Sequence, residues 1–147
     1  MLLGIEITVL IRPYTPEDEA TVIALWQQCG LTRPWNDPRK DIARKSKVDP
    51  QLFIVGIENG EVVASAMGGY EGHRGWVNYL AVRPDHRGRG FGRELMLYLE
   101  EDLKARGCPK INLQIRTSNA SAVGFYKALG YMTDEVFSMG KRLEKDE

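Results

Sequence analysis

A loop rich in glycine and arginine is the first part of the sequence whose residue types indicate chemistry. The stretch RPDHRGRGFGR, residues 83–93, contains Arg87, Gly88, Arg89, Gly90, Gly92 and Arg93. Glycine has no Cβ, so the main chain can take a positive φ and a bulky ligand can approach the backbone N–H groups. Arginine matches phosphate oxygens in a two-point geometry. The loop therefore predicts a phosphate site, and more specifically a pyrophosphate site, in preference to a flexible basic turn.

Two common nucleotide-binding motifs are excluded because residues that they require are missing. A P-loop needs Gly-Lys followed by Ser or Thr, which this loop lacks. A Rossmann fingerprint needs a third glycine where Arg93 stands, and an acid about 20 residues further on, where the next predicted strand ends in Arg116. The predicted phosphate site is therefore neither a P-loop nor a Rossmann dinucleotide site.

The elements on either side of the loop explain why an anion is favoured there. The segment WVNYLAV, residues 76–82, predicts a strand that ends at the loop. After the loop, apolar residues recur every fourth position, at Phe91, Leu95, Leu99 and Leu103. This spacing predicts an amphipathic helix over about 90–106, closed by Gly107. The first N–H groups of a helix lack intrahelical acceptors and carry a partial positive charge, so they attract a phosphate.

The rest of the chain predicts a mixed α/β fold. The pair Asn59-Gly60 lies between two β-rich runs and predicts a hairpin. The predicted helices span residues 16–29, 38–47, 90–106 and the stretch capped by Asn119 and ended by Gly130. The predicted strands span residues 5–12, 52–58, 61–70, 76–82 and 110–117, with one or two more within 131–143. The order β-α-α-β-β-β-α-β-α-β(-β) predicts a largely antiparallel, twisted sheet with helices on both faces, which is an α+β fold.

Length and charge restrict the class of protein. The 147 residues suffice for one domain, predicted to span residues 1–147. Twenty basic and twenty acidic residues give a formal charge of zero, which argues against nucleic acid as a partner. We interpret the basic helix at residues 38–47 as a solvated face.

Cysteine usage and hydropathy predict a cytoplasmic protein. Cys29 and Cys108 match no metal-ligand or redox spacing and are expected to be reduced. No signal peptide is recognised, and no apolar run reaches the roughly 20 residues that span a bilayer, so no membrane partner is expected.

Two motifs resemble those of a known family. The stretch LAVRPDHRGRGFG, residues 80–92, is similar to motif A of the GNAT family of N-acetyltransferases, which reads Arg or Gln, two residues, Gly, one residue, then Gly or Ala. The stretch RTSNASAVGFYKALGY, residues 116–131, resembles motif B, in which an Asn opens a helix that carries a Tyr near its end. The resemblance covers nearly the whole chain. In addition, MGGYEGHRG, residues 67–75, is similar to a bacterial subgroup that resembles ribosomal-protein N-terminal acetyltransferases.

The resemblance implies that acetyl-CoA is the cosubstrate and that no metal takes part. The implied cofactor-binding residues are Leu80, Ala81, Val82, Arg87, Gly88, Arg89, Gly90, Phe91, Gly92, Arg93, Asn119 and Tyr126. The pyrophosphate would lie on main-chain N–H groups of residues 87–93, and the pantetheine arm would run along residues 80–82. In the family a bulge splays this strand from the next one, and the N–H near Leu80 would polarise the thioester carbonyl. For Asn119, helix capping is an equally good interpretation.

Tyr126 is the implied general acid, which would give a proton to the departing coenzyme A thiolate. Without motif B it would be interpreted as a Tyr packed on the last helix. The general base is less well defined, because relatives that acetylate protein N-termini have a Glu where this chain has Gln114. Glu71 is the candidate base, and His73, Tyr79 or a water chain ending at a main-chain carbonyl are alternatives.

The acceptor side of the predicted site is defined only by a loop. The segment TRPWNDP, residues 32–38, joins the first two helices, a connection that in the family often forms a wall of the acceptor pocket. Trp35 and Asn36 are candidate lining residues, although Trp35 could equally be a hydrophobic plug beneath the loop.

These observations predict direct transfer of acetyl from acetyl-CoA to a primary amine of a small molecule, peptide or protein N-terminus. The enzyme would be a cytoplasmic monomer or homodimer. The alternative is a non-catalytic acyl-CoA-binding sensor or regulatory module, which Gln114 favours and Tyr126 disfavours. A nucleic-acid-binding domain that uses residues 38–47 is a weaker alternative.

Overall fold

A five-stranded sheet organises residues 9–146, the part of the chain that the computed structural model describes. The strands are β1 (Leu10–Pro13), β2 (Phe53–Glu58), β3 (Glu61–Tyr70), β4 (Gly75–Val82) and β5 (Ile111–Asn112). The helices are α1 (Glu19–Gln28), α2 (Pro38–Lys45), α3 (Phe91–Ala105) and α4 (Ala120–Ala128). The strands lie side by side in chain order, antiparallel from β1 to β4 and parallel between β4 and β5.

The sheet is buried on both faces. Residues 62–68 of β3 are all buried, which requires cover above and below the central strand. One core joins the sheet to α3, with α4 packed at its margin, and the other joins the sheet to α1 and α2. The predicted mixed α/β fold with helices on both faces is confirmed.

The Asn59-Gly60 hairpin is confirmed in detail. Asn59 and Gly60 both have positive φ, at 51° and 77°, as a type I′ turn requires. They connect β2 to β3 through the pair Glu58 and Glu61. The prediction placed Leu52 in the strand, whereas it lies in a short 3-10 turn just before β2.

Close contact between α3 and the sheet depends on a glycine in β3. A Cβ added to Gly68 would lie 2.9 Å from Cδ2 of Leu99, closer than side-chain atoms normally approach. Leu99 is fully buried in the core between α3 and the sheet. The helix that follows the glycine and arginine loop is thereby fixed against the central strand.

The predicted strands in the last part of the chain are wrong. Within residues 131–146 the structure contains no strand, and the strand predicted over 110–117 is reduced to β5. The last segment is attached to the β5 side by side chains, since Lys110 pairs with Asp134 at 2.9 Å and Gln114 donates to Ser138. Its Asp, Ser and Gly residues also disfavour strand structure.

At the other end of the chain, residues 5–8 of the predicted first strand lie outside the described residues, and β1 (Leu10–Pro13) begins and ends one residue later than the remaining stretch 9–12. The first predicted helix begins with a 3-10 turn, Pro16–Asp18, before α1. The second ends at Lys45, two residues earlier than predicted. Within residues 9–146, none of the helices combines the length and apolar character needed to cross a membrane.

The packing of α3 generates a stability prediction. Replacing Leu99 by Ala should lower the free energy of unfolding by about 2–5 kcal/mol, because it removes buried methyl groups and leaves a cavity. Leu97, on the same helix but 40% exposed, is the matched control, and Leu97→Ala should cost no more than about 0.5 kcal/mol. Urea unfolding followed by circular dichroism measures both variants. Equal losses would contradict the packing described for Leu99.

Candidate active site

The glycine and arginine loop ends at a helix N-terminus that no side chain caps. Gly90 is the N-cap of α3 with φ of 90°, and Gly88 also has a positive φ, 77°. A Cβ on either glycine would meet nothing within 4 Å, so backbone conformation rather than space selects glycine there. The N–H of Glu94 makes the first bond to the Gly90 carbonyl, at 3.0 Å. The N–H groups that precede it at this end of α3 have no intrahelical acceptor, which is the arrangement that favours an anion.

The third glycine of the loop has a different role. Gly92 is buried, and a Cβ there would lie 3.1 Å from the ring of Phe125. Gly92 therefore allows α3 and α4 to pack closely, which brings the two sequence motifs into contact.

The three arginines predicted to contact phosphate are not equivalent. Arg87 and Arg93 are exposed, and Arg87 Nε donates to the Val82 carbonyl at 3.3 Å. Arg89 instead pairs with Glu58 at 2.7 Å, and its guanidinium lies over the Phe91 ring. Arg89 is therefore held against the end of β2, whereas the phosphate contacts of Arg87 and Arg93 stay predictions.

A bulge in β4 opens the sheet beside this loop. Ser65 pairs with Ala81 and Met67 pairs with Asn78, so Tyr79 and Leu80 together stand opposite one residue of β3. Tyr79 has φ of 54°, a strained conformation for a residue with a side chain. The bulge implied by the family resemblance is thus present at Leu80.

Side chains from three other elements hold Tyr79 in this conformation. Its ring stacks on Trp26 with centroids 3.9 Å apart, and its hydroxyl donates to Asp41 Oδ2 at 2.6 Å. The Trp26 Nε1–H donates to Ser65 Oγ at 2.9 Å, and Ser65 Oγ donates to the Tyr79 carbonyl at 3.4 Å. Ser65 is fully buried, so its hydroxyl serves this network.

A cleft lies between β4 and β5 beside the bulge. These strands pair only at Gly75 with Ile111 and Trp76 with Asn112, and they separate beyond that point. The cleft that begins where the strands separate has a volume of about 2400 Å³. It is bounded by the end of α1, by α2, by α4 and by the last segment of the chain. Its walls include Asn36, Asp41, Arg44, Tyr79, Leu80, Gln114, Asn119 and Tyr126.

Tyr126 lies on the α4 wall of the cleft in apolar surroundings. Phe125 and Tyr131 pack against its ring edge to face, with centroids at 5.0 and 5.7 Å. Within residues 9–146 its hydroxyl makes no hydrogen bond, and burial raises its pKa to about 12. The side chain is therefore a neutral phenol at physiological pH, in the protonation state that a general acid needs.

Asn119 caps α4. Its Oδ1 accepts hydrogen bonds from the Ala122 N–H at 3.2 Å and from Ser121 Oγ at 3.1 Å. The capping interpretation of this residue is confirmed. Asn119 also lies on the cleft wall, and its contact with the cofactor stays a prediction.

The structure does not bring Glu71 into the cleft. Its Oε1 accepts hydrogen bonds from the N–H groups of His73, at 2.7 Å, and Arg74, and these bonds lower the pKa of the carboxyl. Neither Glu71 nor His73 is among the residues that line the cleft. Both belong to the turn between β3 and β4.

The cleft contains a different acidic group. Asp41, on α2, accepts the Tyr79 hydroxyl and also contacts Arg44 at 3.1 Å. Burial and the hydrogen bond to Asp41 raise the pKa of Tyr79, so Tyr79 stays protonated and donates to the carboxylate. Asp41 and Tyr79 together form a path along which a proton can leave the cleft.

The acceptor loop contributes one of its two predicted residues. Asn36 lies on the cleft wall, where it accepts a hydrogen bond from Arg142. Trp35 is 53% exposed and packs against the Arg116 guanidinium, so the interpretation as a buried plug is wrong.

Comparisons with known proteins place the chain in a family. Residues 18–131 match the model of the acetyltransferase (GNAT) family. The chain belongs to the GNAT family of acetyltransferases. An acetyltransferase of Pectobacterium atrosepticum is 52% identical over 136 residues, covering 92% of this chain and 96% of the relative. An acetyltransferase of Yersinia pseudotuberculosis is 50% identical over 137 residues, covering 93% and 97%.

Solved structures of other GNAT proteins share the fold. Ard1 from Thermoplasma volcanium superposes with a TM-score of 0.75 and 26% identity, covering 86% of this chain and 84% of that one. The ribosomal-protein-S18-alanine N-acetyltransferase of Escherichia coli superposes with a TM-score of 0.69 and 24% identity, covering 84% and 77%, which shows the fold alone.

Family membership confirms that this GNAT chain is an acetyltransferase, and acetyl-CoA is the cosubstrate of the family. Residues 9–146 contain no group of three His, Cys, Asp or Glu side chains placed to hold a metal ion. Metal independence therefore stays a prediction.

Sequence reasoning missed three residues that shape this GNAT site: Trp26, Asp41 and Ser65. In the sequence, these residues cannot be distinguished from ordinary buried or exposed positions of a helix or a strand. Tyr79 is one of several candidate bases, and its place on the cleft wall and its contact with Asp41 separate it from Glu71 and His73.

Proposed function

We propose that the protein transfers acetyl from acetyl-CoA directly to a primary amine bound in the cleft between β4 and β5. The observation that supports the proposal is a cleft between β4 and β5 whose walls hold both the bulge residues Tyr79 and Leu80 and the Tyr126 phenol. The protein acts in the cytoplasm as a monomer or homodimer.

The pyrophosphate of acetyl-CoA lies on the N–H groups at the start of α3, with Arg87 and Arg93 beside it. The uncapped N-terminus and the positive φ angles of Gly88 and Gly90 support this placement. The pantetheine arm runs along residues 80–82, since this edge of β4 has no strand partner within residues 9–146.

The thioester carbonyl is polarised by the main-chain N–H of Leu80. A bulge leaves backbone groups outside the ladder, and a fixed N–H there stabilises the oxyanion that forms when the amine attacks. The Trp26, Ser65 and Asp41 contacts support this role because they fix the residue that precedes Leu80.

Tyr126 gives its proton to the coenzyme A thiolate as the C–S bond breaks. Its pKa of about 12 keeps it protonated until then. The apolar surroundings that raise this pKa also disfavour a bare thiolate, so proton transfer to sulfur is favoured in the same place.

The base is the pair of Tyr79 and Asp41 in place of Glu71. The Tyr79 oxygen receives the proton of the attacking amine while its own proton passes to Asp41, at 2.6 Å. An amine of pKa about 10.4 is mostly protonated at neutral pH and needs such an acceptor.

Gly90→Val tests the phosphate site. The branched side chain cannot keep a φ of 90°, so the N–H groups at the start of α3 should turn away and the acetyl-CoA dissociation constant should rise at least about tenfold, the value of one charged hydrogen bond. Gly107→Val is the matched control, because Gly107 has φ of 85° in open space at the other end of α3. Calorimetry with acetyl-CoA should show the loss for Gly90→Val alone, and equal affinities for the two variants would refute the site.

Tyr126→Phe tests the general acid. The kcat for coenzyme A release should fall about 100-fold or more, with unchanged acetyl-CoA affinity, because only the transferable proton is lost. Tyr131→Phe is the control, since the Tyr131 hydroxyl donates to Glu100 at 2.7 Å. An undiminished kcat for Tyr126→Phe would remove its role, and no coenzyme A release by the wild-type protein over a panel of small amines and peptides would favour the sensor alternative.

Tyr79→Phe and Asp41→Asn test the base. Either change should lower kcat/KM for the amine about 100-fold or more at pH 7, and activity should recover towards pH 10 as the free amine forms without help. Tyr70→Phe, which removes a hydroxyl bonded to the Gly72 carbonyl, should keep the wild-type pH profile. A loss that is the same at every pH would show that the pair only supports the bulge.

A further inference from the structure

The carboxylate of Asp146, near the end of the chain, is bound by Arg44, which lines the α2 side of the cleft. Arg44 contacts both of its oxygens, with Nη2 at 2.6 Å from Oδ1 and Nη1 at 3.3 Å from Oδ2. The Asp37 N–H donates to Oδ2 at 2.9 Å, and Arg142 Nη1 lies 3.6 Å from Oδ1. The Asp146 side chain is inaccessible to solvent. This is a complete two-point carboxylate site.

The site favours an ionised group. The hydrogen bonds from Arg44 and then from the Asp37 N–H hold the pKa of Asp146 well below its usual range. A lowered carboxyl pKa means that the charged form is bound more strongly than the neutral form. A neutral amide in place of the carboxylate would not gain this charge-dependent stabilisation.

The carboxylate site adjoins the pair that we assign as the base. Arg44 Nη1 is 3.1 Å from Asp41 Oδ1, while the other oxygen of Asp41 accepts the Tyr79 hydroxyl. The charge of Asp146 also contributes to the raised pKa of Tyr79. Arg44 and the Tyr79 hydroxyl therefore both contact the single carboxylate of Asp41, which puts the acid-binding group and the proposed base within the span of one small molecule.

The α2 helix supplies positive charge beside this site, although the tail also brings the Glu144 carboxylate within 3.7 Å of Arg44 Nη2. α2 contains Arg39, Lys40, Arg44 and Lys45 against the single acid Asp41. Arg33 and Lys45 line the same cleft, but Lys45 donates to the Gly68 carbonyl and burial lowers its pKa. Arg44 is the residue on this wall that already binds a carboxylate at two points.

We infer that the acceptor is a small amine that carries a carboxylate, which Arg44 and the Asp37 N–H bind, and that Asp146 occupies this position in the absence of acceptor. The inference rests on the proposed function, since it places the reacting amine at Tyr79 and Asp41. The tail then acts as an internal competitor that a cognate acceptor displaces.

The test measures binding, so it does not depend on turnover. The probes are β-alanine, 4-aminobutyrate and 5-aminovalerate, each paired with its amide, titrated calorimetrically into the full-length protein with and without coenzyme A. Asp146→Asn should bind the best of the acids at least about tenfold more tightly than the wild type does, because the internal competitor is removed, and at least about tenfold more tightly than the matching amide.

Arg44→Gln in the Asp146→Asn background should abolish the preference for the acid. Arg39→Gln is the matched control, since it removes the same charge from α2 at a residue outside the cleft lining, and it should keep the preference. Unchanged coenzyme A affinity shows that each variant is folded.

Three results would overturn the inference: equal binding of acids and amides by Asp146→Asn, an acid preference that survives Arg44→Gln, or no binding of any probe by Asp146→Asn. Failure of the proposed function is a separate result. It would be seen as absence of coenzyme A binding, or as absence of acetyl transfer to an acid that does bind.

Discussion

The strained conformation of Tyr79 in β4 is the constraint on which the rest of the site depends. A non-glycine residue at φ of 54° costs about 1–3 kcal/mol and persists only where its surroundings enforce it. Here stacking on Trp26, a hydrogen bond to Asp41 and the buried Ser65 hydroxyl enforce it. The pairing of β4 with β5 ends at Trp76, shortly before this residue, and Tyr79 lies on the wall of the cleft that separates the two strands.

The same contacts connect the two sides of the cleft. Trp26 belongs to α1 and Asp41 to α2, whereas the side proposed to bind acetyl-CoA is formed by α3, α4 and the open edge of β4. Tyr79 lies between them, with its main chain in the bulge and its hydroxyl on α2. In the proposed reaction the base and the polarising N–H are therefore adjacent residues of one strand, and the geometry that orients one also orients the other.

Local features of this fold could be predicted from the sequence because they depend on neighbouring residues. Asn59 and Gly60 favour positive φ, and they form the hairpin predicted for them. The apolar spacing of α3 predicted which side is buried, and Leu99 is buried as expected. The strands expected within 131–143 failed because strand formation needs a partner edge, and this segment meets the β5 side through side chains such as Asp134.

Only those parts of the candidate site that lie in one continuous sequence motif could be predicted from the sequence. Gly88 and Gly90 could be interpreted from backbone freedom alone, but Gly92 needed the structure to show that its task is contact with Phe125. Glu71 was a reasonable base by residue type, yet turn N–H groups occupy its carboxylate.

The sequence by itself determined the family, through its two motifs, and also the order of most elements and the glycine-rich start of α3, because these follow from adjacent residues and their φ preferences. The tertiary structure decided which side chains meet in the cleft. Trp26 and Ser65 are 39 positions apart, and Asp41 and Tyr79 are 38 apart. Such contacts depend on the register of β3 against β4 and on the packing of α1 and α2 over them, and a hydrogen bond of a few ångströms is defined only once those elements are in place.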